Sequence, residues 1–340
     1  MHYLITGHTG FKGAWMILFL HSQGHTVSGV SLDPLANSLF SRASLQEIVE
    51  HDYRIDIRDK NLLQKAVLDA SPDAVIHMAA QPLVRYGYEN PFYTFETNVM
   101  GTLNVLEVVN QIPNLKSHTV VTTDKVYFND GKVAGYSEND PLGGIDPYSA
   151  SKSMADILAT SWMHTYPSIP TAIVRGGNVI GGGDVSKDRL VPDLITSYSN
   201  NQSPVLRYPD AIRPWQHVLD CINGYLKVTD LLQNEPGLGQ GAWNIGPVSE
   251  SSKSVSSVAE AVAESMGSPL TWEHALSEEP HESDLLLLDS TKATELLGWR
   301  NKLDFQKSID WTVEWYRSSH DTSDIRNITL KQIDQFLTLD

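Results

Sequence analysis

Tyr148 and Lys152 are the residues of this sequence best spaced for proton transfer. They stand four positions apart in a stretch free of glycine and proline, residues 148–164. If that stretch is helical, both side chains lie on one face. An ammonium group beside a phenol favours the phenolate, so it lowers a pKa that is ordinarily about 10. Tyr148 could then take the proton of a hydroxyl whose carbon is being oxidised, although the same spacing also arises by chance in surface pairs.

A second group of reactive side chains ends a predicted strand, Thr119–Thr123. The apolar run passes into Thr122, Thr123, Asp124 and Lys125. Ligands of open parallel sheets bind beyond the carboxyl ends of the strands. A hydroxyl, a carboxyl and an amine in succession supply a hydrogen-bond donor, an acid and a base at one place. The alternative is a solvated loop that caps a helix.

Glycines at positions 7, 10 and 13 follow the first predicted strand, Tyr3–Thr6, and open a predicted helix, Phe11–Gln23. Such a strand-to-helix turn lets backbone N–H groups approach a pyrophosphate, and the helix N-terminus supplies positive partial charge. The spacing is G-x-x-G-x-x-G rather than the commoner G-x-G-x-x-G. The pattern predicts a dinucleotide site, and the alternative is a tight turn without a ligand.

Two acidic residues could complete that site. Asp33 closes the predicted second strand, 20 residues after Gly13, where a carboxylate accepts hydrogen bonds from a ribose and repels a 2′-phosphate. This favours NAD over NADP, while Arg42 leaves room for NADP. Asp56 ends the third strand and could bind adenine. Both carboxylates have ordinary alternatives, a strand-end residue before proline for Asp33 and a turn former or helix cap for Asp56.

The elements that must position these residues alternate between short apolar runs and amphipathic stretches, as in a parallel sheet covered by helices. The fold class is therefore α/β, a Rossmann-type doubly wound parallel sheet with a smaller, mainly helical C-terminal substrate lobe. We expect residues 1–180 and about 211–248 in the first domain, and about 181–210 and 249–340 in the second. Predicted strands are Tyr3–Thr6, Thr26–Leu32, Tyr53–Ile57, Ala74–Ala80, Thr119–Thr123 and Ala172–Val174; predicted helices are Phe11–Gln23, Thr97–Asn110, Tyr148–His164, Leu190–Tyr198, Ser254–Met266 and Phe305–Tyr316.

Composition excludes several classes of protein. Of the 340 residues, 25 are Lys or Arg and 41 are Asp or Glu, so the formal net charge of −16 argues against nucleic-acid binding. The apolar stretch Ala14–Leu20 is too short to span a membrane. The single cysteine, Cys221, excludes an intrachain disulfide and a paired-cysteine metal site, so we expect a cytoplasmic protein without a structural metal.

These segments together resemble the extended short-chain dehydrogenase/reductase superfamily, and more specifically the CDP-glucose 4,6-dehydratase family, along nearly the whole chain. The run HTGFKG together with TTDK distinguishes the CDP-glucose family from relatives acting on dTDP-glucose, which usually have STDE in place of TTDK. The matching segments are TGHTGFKG (6–13), HMAAQPLVR (77–85), TNVMGT (97–102), DPYSASK (146–152), GNVIGGGD (177–184), KDRLVPD (187–193) and IRPWQHVL (212–219).

The resemblance implies an intramolecular redox reaction of a nucleotide sugar with bound NAD. Tyr148, supported by Lys152 and Thr123, would help oxidise the C4 hydroxyl of the sugar, with hydride passing to NAD⁺. The C4 ketone acidifies the C5 proton, water leaves across C5 and C6, and hydride returns to C6. Asp124 would protonate the departing C6 hydroxyl. Lys125 occupies the position of a glutamate base in dTDP-sugar relatives, so it could act at C5 only with a lowered pKa.

The resemblance also implies two binding sites and a homodimer packed through the helices near Thr97 and Tyr148. The arginines suit bidentate phosphate contact, although in an acidic protein they could also be surface ion pairs. The predicted NAD site consists of Gly7, Thr9, Gly10, Phe11, Lys12, Gly13, Asp33, Asp56, Ile57, Met78, Ala79, Ala80, Thr122, Tyr148 and Lys152. The predicted site for CDP-glucose consists of Gln81, Arg85, Asn178, Lys187, Arg189, Arg207, Arg213 and His217.

Three other functions would use some of the same residues. A nucleotide-sugar 4-epimerase needs the tyrosine, the lysine and NAD but no acid–base pair for C5 and C6, so the Asp124–Lys125 doublet favours dehydration. A dehydratase for another nucleotide differs only in hydrogen bonds to the base. A regulator that binds a dinucleotide without turnover needs neither Tyr148 nor Lys152, and their presence argues against it.

Overall fold

The structure is a computed structural model, and it describes residues 1–247, 251–275, 285–321 and 324–339. The strands of these residues are β1 (His2–Thr6), β2 (Thr26–Ser31), β3 (Asp52–Arg54), β4 (Ala74–His77), β5 (Ser117–Val121), β6 (Thr171–Gly176), β7 (Asn178–Ile180), β8 (Val205–Leu206), β9 (Ile212–His217), β10 (Gly241–Ile245), β11 (Ser252–Ser254) and β12 (Glu273–His274). The α-helices are α1 (Phe11–Ser22), α2 (Leu39–Arg42), α3 (Lys60–Ala70), α4 (Val84–Glu89), α5 (Pro91–Phe95), α6 (Thr102–Val109), α7 (Pro147–Thr165), α8 (Leu190–Ser199), α9 (Val218–Asn234), α10 (Pro236–Gly239), α11 (Val255–Met266), α12 (Thr291–Leu297), α13 (Phe305–Asp321) and α14 (Ile325–Thr338).

Seven strands form a parallel sheet in the order β10-β6-β5-β4-β1-β2-β3. The chain starts at β1 and builds outward first through β2 and β3, then from β4 in the other direction. Ile5 of β1 therefore pairs with Gly29 of β2 on one side and Ile76 of β4 on the other. The loops after β1 and β4 diverge at this reversal and leave a crevice beyond the carboxyl ends of the strands. This confirms the predicted fold class.

Alternate residues of each strand face opposite helical layers, as the period of two requires. Tyr3 and Ile5 pack in one core with α1, α9 and α14. Leu4 and Val75 pack in the other core with residues of α3 and α6. Residues Gly13–Leu20 of α1 are all buried, because the helix lies between the sheet and two other helices. An apolar helix of this kind is expected at the centre of a doubly wound fold rather than in a membrane.

A smaller, mainly helical region follows β6. Its three-stranded sheet has the order β11-β9-β7, and Ile180 and Trp215 pack there against α8, α11 and α13. Within the predicted segment 211–248, β9 thus belongs to the three-stranded sheet, whereas β10 belongs to the seven-stranded sheet and α9 packs against β5 and β6 of that sheet. Within 249–340, α14 packs on α1 in the first core. The exact domain boundaries stay a prediction.

Several elements differ from their predicted bounds. The strand predicted at Thr119–Thr123 ends at Val121, because the Thr123 side chain caps a short 3₁₀ turn, Asp124–Val126. Strand β10, at one edge of the seven-stranded sheet, was not predicted. The helix predicted at Thr97–Asn110 starts with a π-helical segment, Glu96–Gly101, before α6. In the residues that the structure describes, no helix is long and apolar enough to cross a membrane.

Candidate active site

The turn after β5 carries a buried carboxyl group just beyond the carboxyl end of that strand. Thr123 Oγ1 accepts from the backbone N–H of Lys125 at 3.4 Å and donates to Asp124 Oδ1 at 2.9 Å. Asp124 is only 1% exposed, and its Oδ2 has no hydrogen-bond partner among the described residues. Burial raises the pKa of this carboxyl, while Lys125 and the Thr123 hydroxyl oppose the rise. A carboxyl of this kind can hold a proton and deliver it to a leaving group.

Helix α7 presents Tyr148 and Lys152 to the same end of β5. The helix is capped by Asp146, whose side chain accepts from the N–H of Ser149, and starts at Pro147, so both signals of a helix start are present. Lys152 Nζ donates to the carbonyl of Val121 at 2.9 Å, one residue before the two threonines. The side chain is thereby fixed against the last residue of the strand.

Burial shifts both titratable groups of this helix toward their neutral forms. It lowers the pKa of Lys152 to about 7, with a further lowering by Lys12. It raises the pKa of Tyr148 to about 12, against a hydrogen bond from Thr123 and the charge of Arg189. The shift of the phenol is opposite to the predicted direction, because in this structure desolvation outweighs the favourable charges. Thr123 nevertheless forms a hydrogen bond that favours the phenolate, and Lys152 lies one helical turn after Tyr148 on the same helix.

The glycine loop forms a backbone cradle at the N-terminus of α1. Gly7 has a φ of +78°, and a Cβ there would lie 2.8 Å from the backbone nitrogen of Ala79. A Cβ at Gly13 would lie 2.3 Å from the carbonyl oxygen of Gly7. Gly10 precedes the first turn of the helix and leaves its N–H groups open to the crevice. The absence of side chains is therefore a steric requirement, and the cradle suits a pyrophosphate.

The neighbouring residues of the predicted NAD site divide into two sets. Asp33 is exposed two residues beyond β2, and Met78, Ala79 and Ala80 are partly buried just beyond β4, so all four lie past the carboxyl ends of their strands. The others are used within the protein. Three of them form hydrogen bonds: Thr9 donates to Leu32 O, Lys12 contacts the Tyr225 hydroxyl at 3.3 Å, and Thr122 donates to Asp156. Asp56 forms an ion pair with Arg58. Phe11 packs against the first core, and Ile57 packs against Gly101.

A cavity of about 330 Å³ opens beside Lys125, between the sheet and the smaller region. It brings together four arginines from separate elements: Arg85 of α4, Arg189 before α8, Arg207 after β8 and Arg213 of β9, with Asn178 of β7. Arg85 and Arg207 both donate to Asp188 Oδ1 at 3.2 Å. An overall acidic protein therefore contains a local cationic cleft, whose guanidinium groups suit a nucleotide diphosphate.

Three predicted substrate residues lie outside this cavity. Lys187 is exposed and does not line it. Gln81 turns inward, where its amide donates to Thr94 Oγ1 at 2.8 Å and accepts from the N–H of Leu83. His217 is fully buried at the start of α9, where Trp15 and Trp311 contact its ring edge-on. Burial lowers its pKa to about 3, so it is a neutral packing residue here.

Two sets of polar residues near the site were not predicted from the sequence. Asp184, Asp188 and Asp193 line the cavity with the arginines. Asp156 and Arg175 form a buried ion pair directly behind Thr122. The spacing could have indicated Asp156, since positions 148, 152 and 156 continue along one face of α7. In the residues that the structure describes, no group of His, Cys, Asp and Glu side chains could hold a metal ion.

Comparison with known proteins places this arrangement in a family. Residues 4–312 match the model of the GDP-mannose 4,6 dehydratase family. The chain belongs to this family. It is also 39% identical to the CDP-glucose 4,6-dehydratase of Salmonella typhimurium, over 98% of this chain and 95% of that protein. This confirms the predicted resemblance. A dTDP-glucose 4,6-dehydratase of Xanthomonas campestris is 29% identical over 92% of each chain.

Solved structures share the fold. A dTDP-glucose 4,6-dehydratase from Bacillus anthracis in complex with NAD has a TM-score of 0.79 at 23% identity, over 94% of this chain and 98% of that one. A UDP-glucose 4-epimerase from Stenotrophomonas maltophila with bound NAD has a TM-score of 0.83 at 20% identity, over 94% and 99%. At these identities the likeness concerns the fold, and the same fold carries both chemistries.

Proposed function

We propose that this protein is an NAD-dependent nucleotide-sugar 4,6-dehydratase that converts CDP-glucose to CDP-4-keto-6-deoxyglucose and water. The observation that carries the proposal is the buried carboxyl of Asp124, with its raised pKa and one unpartnered oxygen, next to Lys125 and the Tyr148–Lys152 pair. An enzyme that only oxidises and reduces C4 has no use for this acid. The likeness to a CDP-glucose 4,6-dehydratase supports the choice of nucleotide.

The cofactor fits the crevice between β1 and β4. Gly7, Gly10 and Gly13 would hold its pyrophosphate, and Asp33 its adenosine ribose. NAD, when bound, supplies a two-electron oxidation at C4 that is matched by a reduction at C6. The overall reaction is therefore an elimination of water without net redox change, and the protein is a hydro-lyase.

The side chains of the chain move the protons. Tyr148 removes the proton of the C4 hydroxyl, with Lys152 and Thr123 stabilising its phenolate. The ketone at C4 then acidifies C5, and Lys125 removes the C5 proton. Asp124 gives its proton to the C6 hydroxyl, which leaves as water. Lys125 finally returns its proton to C5. The proton that Tyr148 took from the C4 hydroxyl balances the one that Asp124 gave to the leaving water, and its release to solvent with uptake of a proton by Asp124 resets both groups for the next substrate.

The arginine cleft would hold the nucleotide diphosphate. Arg85, Arg189, Arg207 and Arg213 line the cavity next to Lys125, so a diphosphate there places its sugar toward the catalytic groups. We propose residues 1–180 and about 211–248 as the NAD-binding domain and about 181–210 and 249–340 as the nucleotide-sugar-binding domain, with Arg85 and Arg213 contributed to the cleft by the first domain. The buried single cysteine, Cys221, is compatible with the reducing cytoplasm, where we place the activity.

Proton NMR of the purified protein with NAD⁺ and CDP-glucose tests the proposal, with dTDP-, UDP- and GDP-sugars in parallel tubes. A new methyl doublet from CDP-glucose alone is the expected result. A methyl signal only from another nucleotide sugar would keep the dehydration and overturn the substrate. Sugar epimers without a methyl signal would overturn the dehydration in favour of a 4-epimerase, and no change anywhere would overturn the enzyme assignment.

We further infer a homodimer through the face formed by α5, α7 and the π-helical segment. Four apolar side chains are exposed there: Phe92 at 78%, Ile157 at 54%, Met100 at 50% and Met154 at 47%. Apolar exposure of this kind on neighbouring helices is typical of subunit interfaces. Light scattering should give twice the chain mass for the wild type and a single chain mass for Ile157→Glu. A monomeric wild type would overturn the dimer.

A further inference from the structure

A buried ion pair lies behind the catalytic turn and takes no direct part in the proposed reaction. Asp156 and Arg175 are 0% and 3% exposed in their side chains. Asp156 accepts from Arg175 Nη2 at 2.7 Å with Oδ1 and from Arg175 Nε at 2.9 Å with Oδ2. This is the bidentate geometry in which guanidinium and carboxylate groups bind most strongly.

Each residue of the ion pair forms a further hydrogen bond with the catalytic segment, which we define as Thr122–Tyr127. Asp156 Oδ2 also accepts from Thr122 Oγ1 at 2.9 Å, at the start of the segment. Arg175 Nη1 donates to the hydroxyl of Tyr127 at 2.9 Å, at its end. The Tyr127 hydroxyl in turn donates to Asn244 of β10 at 2.6 Å. One ion pair therefore holds both ends of the segment that contains Thr123, Asp124 and Lys125.

The same pair connects this segment to the helix that carries the other catalytic residues. Asp156 lies one helical turn after Lys152, which itself donates to Val121. Helix α7 is thus bonded to two consecutive residues at the end of β5. The distance from Tyr148 to Asp124 depends on these bonds, because the two side chains belong to different elements.

Stability alone is a poor explanation for such a pair. Two charges lose their hydration on burial, and apolar residues of similar size often stabilise a core equally well or better. What apolar residues cannot do is fix a threonine hydroxyl and a tyrosine hydroxyl in direction as well as position. Catalytic groups are sensitive to position, and a misplacement of about 1 Å can reduce a rate roughly a hundredfold.

We propose that Asp156 and Arg175 are positioning residues that hold the catalytic segment Thr122–Tyr127 at a fixed distance from Tyr148 and Lys152. The proposal rests on the proposed function for its effect on turnover, and on the geometry for its effect on the segment. It assigns no contact with substrate or cofactor to either residue. Their action passes through Thr122 and Tyr127.

The direct substitution of either charged residue would be a poor test, since it leaves the partner charge buried and can unfold the protein. Thr122→Val and Tyr127→Phe instead each remove one connection and leave the ion pair intact. We expect each to lower kcat about tenfold or more with little change in KM. The Thr122→Val/Tyr127→Phe double variant should lose more than either single variant.

Two matched controls remove a buried hydroxyl of the same kind elsewhere. Thr119→Val deletes the 2.8 Å bond to Thr229 in the same strand, directed toward α9. Tyr198→Phe deletes a bond to the carbonyl of Ala259 in the smaller region. If the role of the network is only structural, controls and test variants with equal loss of unfolding midpoint should have equal kcat. Equal kcat at equal midpoint would overturn the proposal.

Hydrogen–deuterium exchange gives a readout that does not require turnover. The N–H of Val126 donates to Thr123 O at 3.3 Å, so the exchange rate of the amide hydrogens in the turn measures how well this hydrogen bonding is maintained. Exchange within residues 122–127 should accelerate in Thr122→Val and Tyr127→Phe but not in the two controls. Unchanged exchange would overturn the positioning role even if the wild type is an active dehydratase. Accelerated exchange in the two variants, when the wild type gives no methyl product, would support the positioning role while the proposed function fails.

Discussion

The proposed catalytic centre and the arginine cleft are neighbours, yet they hold ionisable groups in opposite environments. At the catalytic centre, Asp124, Tyr148 and Lys152 are nearly inaccessible, and burial shifts the pKa of each toward its neutral form. In the cleft, the side chains of Arg85, Arg207 and Asp188 are 38%, 31% and 41% exposed and pair with one another. Water screens these pairs, whereas the buried groups interact almost unscreened.

The difference follows from what each region must do. Proton transfer needs groups whose two protonation states have similar free energies, and burial brings this about by penalising the charged form. A diphosphate, by contrast, must enter from water and leave again. Exposed ion pairs cost little to open, so the cleft can exchange Asp188 for a ligand anion. The following four substitutions test this contrast, beginning with the largest expected effect.

Tyr148→Phe should lower turnover of CDP-glucose by about a thousandfold, because general base catalysis contributes roughly 10²–10⁴. Binding of CDP, measured by calorimetry, should stay unchanged, since the cleft is separate. Tyr166→Phe, at the exposed end of the same helix, is the control and should be fully active. Weakened CDP binding in Tyr148→Phe would show that the two regions are not independent, and full activity would remove Tyr148 from the mechanism.

Asp124→Asn should slow formation of the methyl product by about a hundredfold, because the amide cannot protonate the C6 hydroxyl. Oxidation at C4 and proton removal at C5 continue, so substrate recovered from D₂O should contain deuterium at C5 by NMR. Lys125→Met is the matched comparison and should show no incorporation of deuterium at C5. Normal exchange in Lys125→Met would exclude the lysine as the C5 base.

Arg207→Ala should weaken CDP binding by about tenfold, the loss of one charge-assisted contact, and leave the unfolding midpoint unchanged. Since the cleft is open to solvent, the difference from the wild type should shrink as salt is added. Lys187→Ala, outside the cavity, is the control for net charge. An effect independent of salt, or an equal effect of Lys187→Ala, would contradict the description of the cleft.

Burial of Lys152 should make the free energy of unfolding depend on pH. Its pKa is about 7 in the folded protein and about 10.4 in an unfolded chain, so between these values the unfolded state binds more protons. The free energy of unfolding of the wild type, relative to Lys152→Met, should therefore rise from about pH 7 to about pH 10. Urea titrations without added nucleotide measure it, with Lys65→Met as the exposed control. A constant difference would contradict the lowered pKa.

Local patterns gave much of the fold and part of the site. The glycine spacing and the uninterrupted stretch after Tyr148 predicted the turn into α1 and helix α7, because both depend on neighbouring residues. The end of β5 was misplaced by two residues, since the Thr123 side chain, rather than strand propensity, ends the strand. Strand β10 was missed, because its partner β6 lies far away in sequence.

The direction of a side chain was the least predictable property. Gln81 and His217 are polar residues in matching motifs, but their surroundings turn them inward, and no spacing rule reveals this. The cleft arginines were found by motif, whereas their common partner, Asp188, depends on three elements that meet only in the folded chain. The expected lowering of the Tyr148 pKa failed for the same reason, since burial is a property of the whole fold.

Strand β10 also sets the order in which the enzyme can mature during synthesis. Every proposed catalytic residue has left the ribosome once Lys152 has emerged, but the anchor of the Tyr127 hydroxyl, Asn244, is translated much later. Helix α14, which packs on α1, is translated later still. A nascent chain therefore carries a complete set of reactive groups before it contains the residues that align them, and the active site can form only after Asn244 has been translated.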